Sequence, residues 1–500
     1  MKRLWWGVAL LVLCWAPMAH AHVGSPDIYA EGQAGPYKLF VVVRPPLVIP
    51  GVADVEVRSE GAGLESVAIT PVPLTGEASK HPPVPEAMVE SKDDRAFFTG
   101  HLWMMATGSW QIRLMAHGSQ GDGVLSIPVP ARALGTRPMP AGLGLMLAGL
   151  GVLLLIGMVG IVGAAAREAK LPAGAAVPEG NRRRGYVAMG ITLALLVTGV
   201  VLGNAWWKAE AANYANYVYK PLGMAATLGA GGVLELKLED PGWLSERKLD
   251  DFIPDHDHLM HLYAIRWPAM DVVAHLHPEQ VGTGEFRLVL PSLPAGQYHL
   301  YADVVHENGF PETIVGQVEL PLVAGRALSG DDAVGTAEAG SSVEDAICRQ
   351  NALADVTPAP DTQQRFELAD GYAMIWKKPS CLHARVPLEV QFELVDPKGK
   401  APKDMALYMG MLGHAAFVKT DGTVFAHIHP TGTMSMAAFM LANPQAPMKE
   451  MAMPGMAMDA LPNGVGFPYG FPSAGRYRIF VQMKHGTTVE TGVFDAAVEP

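Results

Sequence analysis

A histidine pattern that occurs twice, each time at β-strand spacing, constrains the fold of this chain more than any other feature. The first copy has one histidine, a His-Leu-His-Pro segment, a Gly-Gln-Tyr segment and a last histidine: His261, His275, His277 and His306. The second copy repeats this order with His414, His427, His429 and His485. In both copies the last histidine lies ten positions after the glycine. The repeat predicts two copies of one strand-rich domain.

The His-x-His pair of each copy indicates metal binding. Side chains alternate along a strand, so both histidines of a pair project from the same face. Imidazole is the commonest metal ligand, and several imidazoles on one face can bind zinc or copper. We therefore expect one metal site in each copy, formed by its four histidines. The alternative is that the pair closes a strand as a polar edge, which duplication copied together with the fold.

The positions just upstream of the first histidine differ between the copies. His256 and His258, each preceded by an aspartate, align with Met409 and Met411. Thioether sulfur is a softer ligand than imidazole and favours Cu(I). The first site is therefore expected to suit Cu(II) or zinc, and the second Cu(I). Alternatively, the two aspartates and their histidines form a solvated turn.

A methionine-rich insertion at residues 434–458 lengthens the second copy. Its central run contains Met451, Met453, Met456 and Met458. Proline, glycine and alanine around the methionines argue against a packed helix, so we expect exposed thioethers that contact Cu(I). The competing interpretation is that methionine fills apolar gaps.

The N-terminus predicts a signal peptide over residues 1–21. Two basic residues precede an apolar run, and Ala19-His20-Ala21 fits the small-x-small rule for cleavage. Cleavage there leaves His22 as the first residue, whose amine and imidazole could chelate a metal together with a further histidine of the same domain. The alternative is that His22 is unused, because the residue after a cleavage site is often arbitrary.

Two apolar stretches predict transmembrane helices at residues 141–166 and 186–207. The loop between them, 167–185, has the excess of arginine and lysine that is typical of a cytoplasmic loop. This topology puts the N-terminal and C-terminal domains on the periplasmic side of the inner membrane. A buried helical hairpin in a soluble core is the alternative.

Outside these helices, alternating segments separated by proline and glycine predict mainly β structure. An aromatic residue follows a glycine turn near the end of each of three regions, at Trp110, Tyr298 and Tyr477. This resembles the tyrosine corner of immunoglobulin-type sandwiches. We therefore expect three immunoglobulin-like β-sandwich domains and one linker, at residues 22–135, 215–325 and 346–500 for the domains and 326–345 for the linker.

The composition excludes several classes of function. A net charge of −12, without a basic patch that contains aromatics, argues against a nucleic-acid partner. The sequence contains no nucleophile elbow, phosphate loop, dinucleotide fingerprint or His-Glu-x-x-His motif. Apart from a cysteine in the signal peptide, only Cys348 and Cys381 occur, which predicts one disulfide in an oxidising compartment.

Four segments of the two copies resemble YtkA-like domains: 258–262, 274–279, 408–414 and 426–430. These domains are immunoglobulin-type periplasmic modules that occur beside copper and heavy-metal efflux components. The resemblance covers most of residues 215–325 and 375–500. The N-terminal domain is more distantly similar to copper carriers of the CopC type. The resemblance implies a copper or heavy-metal context, with a periplasmic copper protein or efflux component as partner, but it implies no reaction.

Together these patterns predict a membrane-anchored periplasmic protein that captures, stores or delivers copper, with zinc as the alternative metal. Two other functions stay open. One is a scaffold or sensor that docks a periplasmic partner and binds no metal. The other is a zinc enzyme in which three histidines leave one coordination position for water. The enzyme is the less favoured, because Glu279 and Glu307 near the first cluster are Thr431 and Gly486 in the second copy.

Overall fold

The computed structural model describes residues 26–172, 174–244, 247–338, 363–445 and 461–500. The chain forms two compact units, one of Met1–Arg132 with Lys220–Pro500 and the other of Ala133–Tyr219. The smaller unit contains helices α1 (Ala141–Glu168) and α2 (Glu179–Ala215), which are long and apolar enough to cross a membrane. These helices contain the two predicted transmembrane stretches.

The N-terminal domain consists of two antiparallel sheets with the strand orders β1-β2-β3-β7-β6 and β5-β4-β8-β9. Every second residue of β3 is buried, as expected for a sheet with one face toward a core. The strands are β1 (Ile28–Ala34), β2 (Tyr37–Arg44), β3 (Gly51–Glu60), β4 (Leu64–Pro73), β5 (Glu86–Ala87), β6 (Val89–Glu90), β7 (Phe97–Met104), β8 (Gly108–Gly118) and β9 (Gly121–Ala131).

The second domain forms one nine-stranded sheet with the order β14-β15-β11-β10-β17-β16-β12-β13-β18. Leucine, valine and aromatic side chains from most of these strands form its core. The strands are β10 (Gly223–Leu228), β11 (Val233–Glu239), β12 (His261–Trp267), β13 (Val272–Leu276), β14 (Glu279–Gly282), β15 (Glu285–Val289), β16 (Gly296–Val305), β17 (Pro311–Leu320) and β18 (Ala333–Thr336).

The third domain has one sheet of order β19-β20-β21-β25 and another of order β22-β26-β23-β24, with β27 paired to β26. Its core is built around Trp376 and Phe392. Its elements are β19 (Gln363–Glu367), β20 (Ala373–Lys377), β21 (Leu388–Val395), β22 (Met405–Ala406), β23 (His414–Lys419), β24 (Phe425–Ile428), α3 (Met436–Ala442), β25 (Gly464–Tyr469), β26 (Gly475–His485) and β27 (Thr488–Val498). The prediction of a mainly β chain with two long apolar helices is thus confirmed.

The aromatic residues after the glycine turns form the same hydrogen bond in all three domains. Trp110 Nε1 donates to the carbonyl four residues earlier at 2.9 Å. The hydroxyls of Tyr298 and Tyr477 donate to the carbonyls four residues earlier at 2.9 and 2.8 Å. Each bond ties the start of a long strand to the turn that precedes it.

The second and third domains pack together through an apolar interface. Tyr263 and Tyr301 of the second domain contact Phe425 of the third, and the rings of Tyr301 and Phe425 stack with centroids 4.2 Å apart. These three side chains are buried. The interface fixes β12 and β13 of the second domain against β23 and β24 of the third. These four strands carry His261, His275, His414 and His427.

Part of the predicted linker 326–345 belongs to the second domain. Strand β18 pairs with β13, which carries His275. The rest of that linker, from residue 339 onward, lies outside the described residues. Cys381 is disulfide-bonded, and Cys348 also lies outside the described residues.

The N-terminal domain supports the turn that follows the second His-x-His pair. The backbone N–H of Glu31 donates to Thr431 O, and that of Thr433 donates to Tyr29 O, both at 2.9 Å. Between these bonds Gly432 has a φ of 120°, and a Cβ there would overlap the backbone oxygen of Tyr29.

We expect Gly432→Ala to destabilise the protein by about 1–3 kcal/mol, because it adds a backbone clash to an unfavourable φ. The midpoint of thermal unfolding of the detergent-solubilised chain measures the effect. Gly399→Ala is the matched control, since Gly399 also has a positive φ but faces open space. Equal shifts for the two variants would contradict the contact with the N-terminal domain.

Candidate metal centre

Eight imidazoles from both copies of the repeat meet at the junction of the second and third domains. Each of these rings lies with its centroid within 6.2 Å of at least one other ring of the group, and contacts cross between the domains. We call this group the histidine cluster; its members are His256, His258, His261, His275, His277, His414, His427 and His429. The cluster is assembled by β12, β13, β23 and β24 together with the turns beside them.

The last histidine of each copy is not brought to the cluster. His306 bonds to Asp251 and Glu312 at 2.7 and 3.1 Å instead. His261 lies opposite Asp303 in the β12–β16 ladder, and His306 follows Asp303 by three residues. Opposite residues share a face and odd offsets reverse it, so His306 projects from the other face. The grouping of His306 with the other three histidines is therefore corrected.

The same register argument applies to His485. His414 lies opposite Gln482 in the β23–β26 ladder, and His485 follows three residues later. His485 instead stacks on Tyr372 and lies 3.3 Å from Glu490 Oε1. Four-histidine sites within single domains are thus replaced by two histidine triads, one of which crosses between the domains. His485 lies in a separate group with Asp370 and Glu490 that could also hold a metal ion.

The interdomain triad consists of His256, His414 and His429, with one nitrogen of each ring within 4.8 Å of the others. The Nε2 atoms of all three are buried and have no hydrogen-bond partner among the described residues. His429 Nδ1 lies 3.2 Å from the carbonyl of Met434, so Nδ1 carries the proton and Nε2 carries a lone pair. Buried polar atoms without partners are rare, and here three of them belong to rings whose candidate ligand nitrogens lie within 4.8 Å of one another.

His427 orients one ring of the interdomain triad, that of His414, through a hydrogen bond. His414 Nδ1 and His427 Nε2 are 3.2 Å apart, and His427 Nδ1 lies 3.2 Å from the carboxylate of Asp303. Because Asp303 accepts the Nδ1 proton of His427, His427 Nε2 accepts the Nδ1 proton of His414. This chain leaves the His414 Nε2 lone pair free. Metal-binding histidines are commonly oriented in this way by an acceptor behind the ring.

The second-domain triad consists of His261, His275 and His277, also with nitrogens within 4.8 Å of one another. Each ring uses its other nitrogen to donate outward. His261 Nε2 lies 3.0 Å from the Asp255 carbonyl. His275 Nδ1 lies 2.8 Å from Gln482 Oε1, and His277 Nδ1 lies 3.0 Å from Asp332 Oδ1.

These outward bonds leave two lone pairs facing each other. His261 Nδ1 and His275 Nε2 are 3.2 Å apart. With both outward nitrogens protonated, neither of these atoms carries a proton, and two lone pairs at this distance repel each other. A bound cation removes that repulsion. The remaining ligand of the triad, His277 Nε2, is buried without a partner.

Burial lowers the pKa of six of the eight cluster histidines. The pKa values of His261, His275, His414 and His429 lie well below the ordinary 6.5, first because of desolvation and then because of neighbouring imidazoles. Burial lowers the pKa of His427 to about 3. These five imidazoles are therefore neutral near pH 7, which is the form that binds metals.

Burial acts in the opposite direction on the acids at the cluster. It raises the pKa of Asp303 to about 7, against the hydrogen bond from Thr313. It also raises the pKa of Asp255, whose Oδ1 accepts the backbone N–H of Ala437 in α3 at 2.8 Å.

The remaining predicted ligands lie partly beside the cluster and partly outside the described residues. Met409 and Met411 are buried in a turn beside the cluster. His258 stacks on His277 with ring centroids 3.8 Å apart. The predicted exposure of the insertion's methionines is wrong for Met434 and Met436, which are buried at the start of α3. Two groups of predicted ligands lie outside the described residues: His22, and the run Met451, Met453, Met456 and Met458.

Sequence reasoning missed the residues that hold the imidazoles in place. Asp303 and Gln482 lie opposite the first histidine of each copy, so a correct strand register would have indicated them. Asp332 was assigned to the linker. Tyr408, whose hydroxyl lies 3.3 Å from His275 Nδ1, gave no signal beyond its position before Met409.

Comparisons with known proteins give little further information. Residues 367–500 match a domain of unknown function, DUF8832. No curated protein matches the chain. The chain is similar to Salmonella alpha-2-macroglobulin reacted with methylamine, with 8% identity and a TM-score of 0.20 over 95% of this chain and 24% of that chain. It is similar to dimeric latent PorU from Porphyromonas gingivalis, with 8% identity and a TM-score of 0.14 over 95% of this chain and 34% of that chain. It is also similar to trypsin-activated alpha-2-macroglobulin from Escherichia coli, with 10% identity and a TM-score of 0.14 over 92% of this chain and 26% of that chain. This chain thus spans between a quarter and a third of their lengths.

The metal-free protein should lose stability as the pH falls below about 6.5. Burial holds the folded-state pKa of His414 below its unfolded value and lowers the pKa of His427 to about 3. At these positions the unfolded chain therefore binds more protons below pH 6.5, and for His427 this window extends down to about pH 3. Each such histidine contributes about 1.4 kcal/mol per pH unit in that window. Thermal unfolding at pH 7.5 and 5.5 measures the loss.

His427→Gln should make this loss smaller, because it removes one of the depressed groups. The control is His101→Gln, since His101 is exposed and lies in the N-terminal domain. The same pH dependence in both variants would count against a buried neutral cluster.

Proposed function

We propose that this chain is a membrane-anchored copper-binding protein that holds two copper ions in the histidine cluster, for capture, storage or delivery. The observation that carries the proposal is that the three rings of the interdomain triad bring a nitrogen each within 4.8 Å of the others and that each ring has a buried Nε2 atom without a partner. A cluster of histidines that served only packing or docking would pair its buried nitrogens with donors or acceptors. A metal ion satisfies all three lone pairs at once.

The donor set favours copper over hard cations. Both triads offer neutral nitrogen atoms only, whereas Ca²⁺ and Mg²⁺ require oxygen ligands. The nearby carboxylates of Asp303 and Asp332 accept hydrogen bonds from imidazoles and so orient them. Zinc also accepts three imidazoles, but the buried methionines beside the cluster favour the softer Cu(I).

The methionine insertion supports an exchange mechanism. The insertion begins beside the histidine cluster. There the Met434 carbonyl accepts a hydrogen bond from His429, and the Asp255 carboxylate accepts one from the backbone N–H of Ala437 in the first turn of α3. Copper collected by thioethers of the insertion would therefore arrive beside the interdomain triad. Transfer would proceed by replacing one ligand at a time, and thioether ligands, which bind Cu(I) without a proton, suit that step.

The proposed location is the inner membrane, with the three immunoglobulin-like domains in the periplasm. The basic loop between the two apolar helices and the signal peptide support this orientation. The resemblance to YtkA-like modules supports a copper context, and a periplasmic copper protein or efflux component as the recipient. The zinc-enzyme alternative has less support, because Glu279 and Glu307, its candidate bases, are exposed.

We expect the full-length protein in detergent to bind two copper ions per chain. His429→Ala should lower this number to one by removing a ligand of the interdomain triad. His277→Ala should also lower it to one, and the double variant should lose both ions of the histidine cluster. Metal analysis after dialysis, with Cu(I), Cu(II) and Zn(II) offered separately, gives the stoichiometry and the preferred metal.

The control for these variants is His299→Ala. His299 lies on β16 and stacks on Trp267 with centroids 4.3 Å apart, away from both triads. Two copper ions should remain in this variant. A wild-type protein without stoichiometric metal would refute the proposal, and the docking scaffold would then become the preferred function.

A further inference from the structure

We infer that Met409 crosses from the third domain to complete the second-domain triad, which makes that triad the Cu(I)-selective site of the pair. The inference rests on the proposed copper function. It reverses the expectation from sequence, in which each methionine serves the histidines of its own copy. Three observations on the histidine cluster lead to it.

The cluster has an approximate twofold symmetry that exchanges the two domains. The distance of 3.2 Å between His261 Nδ1 and His275 Nε2 is repeated between His414 Nδ1 and His427 Nε2. The outer acceptors are exchanged in the same way: Gln482 of the third domain holds His275, and Asp303 of the second domain holds His427.

Ring distances follow the same symmetry. His261 and His277 are 5.1 Å apart, and His414 and His429, which correspond to them, are 4.8 Å apart. Between the domains, the 5.4 Å separation of His261 and His427 corresponds to the 6.2 Å separation of His275 and His414. The symmetry thus relates ring contacts between the domains as well as those within them. It does not extend to the bond from His261 Nε2 to the Asp255 carbonyl, which has no counterpart at His414 Nε2.

Met409 occupies the position that corresponds to His256. The turns Asp255–His258 and Tyr408–Met411 each close with a pair of backbone hydrogen bonds of 2.8 and 3.0 Å. The second residue of each turn is left-handed, with φ of 48° at His256 and 50° at Met409. Both turns therefore present this second side chain in the same direction relative to their own domain.

His256 uses that direction to reach the partner domain. Its ring lies 5.0 Å from both His414 and His429. Applied to this contact, the approximate twofold operation directs Met409 toward the rings of His261 and His277.

Tyr408, the neighbour of Met409, also contacts the second domain. The Tyr408 hydroxyl donates to the Asp331 carbonyl at 2.7 Å and lies 3.3 Å from His275 Nδ1, both in the second domain. The Tyr408 turn of the third domain is therefore seated against the second-domain triad. Met409 is itself only 8% exposed.

The two sites then differ in chemistry. The interdomain triad has three imidazoles, a set that suits Cu(II), Cu(I) or zinc. The second-domain triad gains a thioether, and its sulfur selects Cu(I). One centre would thus hold a soft site next to a harder one.

The test uses Cu(I) and X-ray absorption at the copper edge on the full-length chain. Its background is His429→Ala, which leaves copper in the second-domain triad alone, with Met451, Met453, Met456 and Met458 changed to leucine so that their sulfur does not contribute. Adding Met409→Leu should remove the copper–sulfur signal and weaken Cu(I) binding by at least about tenfold, the smallest loss typical of residues that support a metal. Zinc affinity should change less.

Met411→Leu is the matched control, because it is a buried methionine in the same turn at the position that corresponds to His258, whose ring stacks on His277 within its own domain. It should keep the copper–sulfur signal. Leucine conserves the volume of methionine, so both variants should fold. Sulfur that persists without Met409, or that disappears equally without Met411, would overturn the inference. Either result would leave the binding of two copper ions per wild-type chain unchanged. Failure of the proposed function would instead appear as a wild-type chain that binds no stoichiometric copper.

Discussion

The structure depends on the burial of neutral imidazoles that cannot share their nitrogens with water. Five of the six rings in the two triads each donate one proton to a fixed acceptor and leave one lone pair without an acceptable protein donor. The acceptors come from separate parts of the chain: Asp303 on β16, Gln482 on β26, Asp332 before β18, and the carbonyls of Asp255 and Met434. The interface between the domains, the last strand of the second domain and the insertion are therefore all required to hold one centre.

The sequence predicted the components of this centre but not their assembly. Period-two spacing correctly put His275 with His277 and His427 with His429, because alternation along one strand is a local property. The membership of His306 and His485 depended on which residue of the neighbouring strand lies opposite His261 or His414. That register comes from the ladder and not from spacing along the chain, and a three-residue offset moves a side chain to the opposite face.

The exchange of ligands between domains could not be read from the sequence either. The alignment of His256 with Met409 was correct, and the two turns have the same backbone conformation. Spacing, however, says nothing about which neighbour a turn faces. The packing of Tyr263, Tyr301 and Phe425 sets the two domains face to face, so that each turn approaches the other domain's histidines. An apolar interface thus decides the ligand set of a polar site.

The charge around the cluster bears on which copper ion the centre holds. A buried cation is costly unless nearby negative charge or good ligands offset it. Asp303 and Asp332 are the buried carboxylates that bond to cluster imidazoles, and Asp332 is already paired with Arg326. Two divalent ions would add four positive charges to this environment, whereas two Cu(I) ions would add two. Electrostatics therefore favours the same oxidation state as the methionines, although the two arguments rest on different residues.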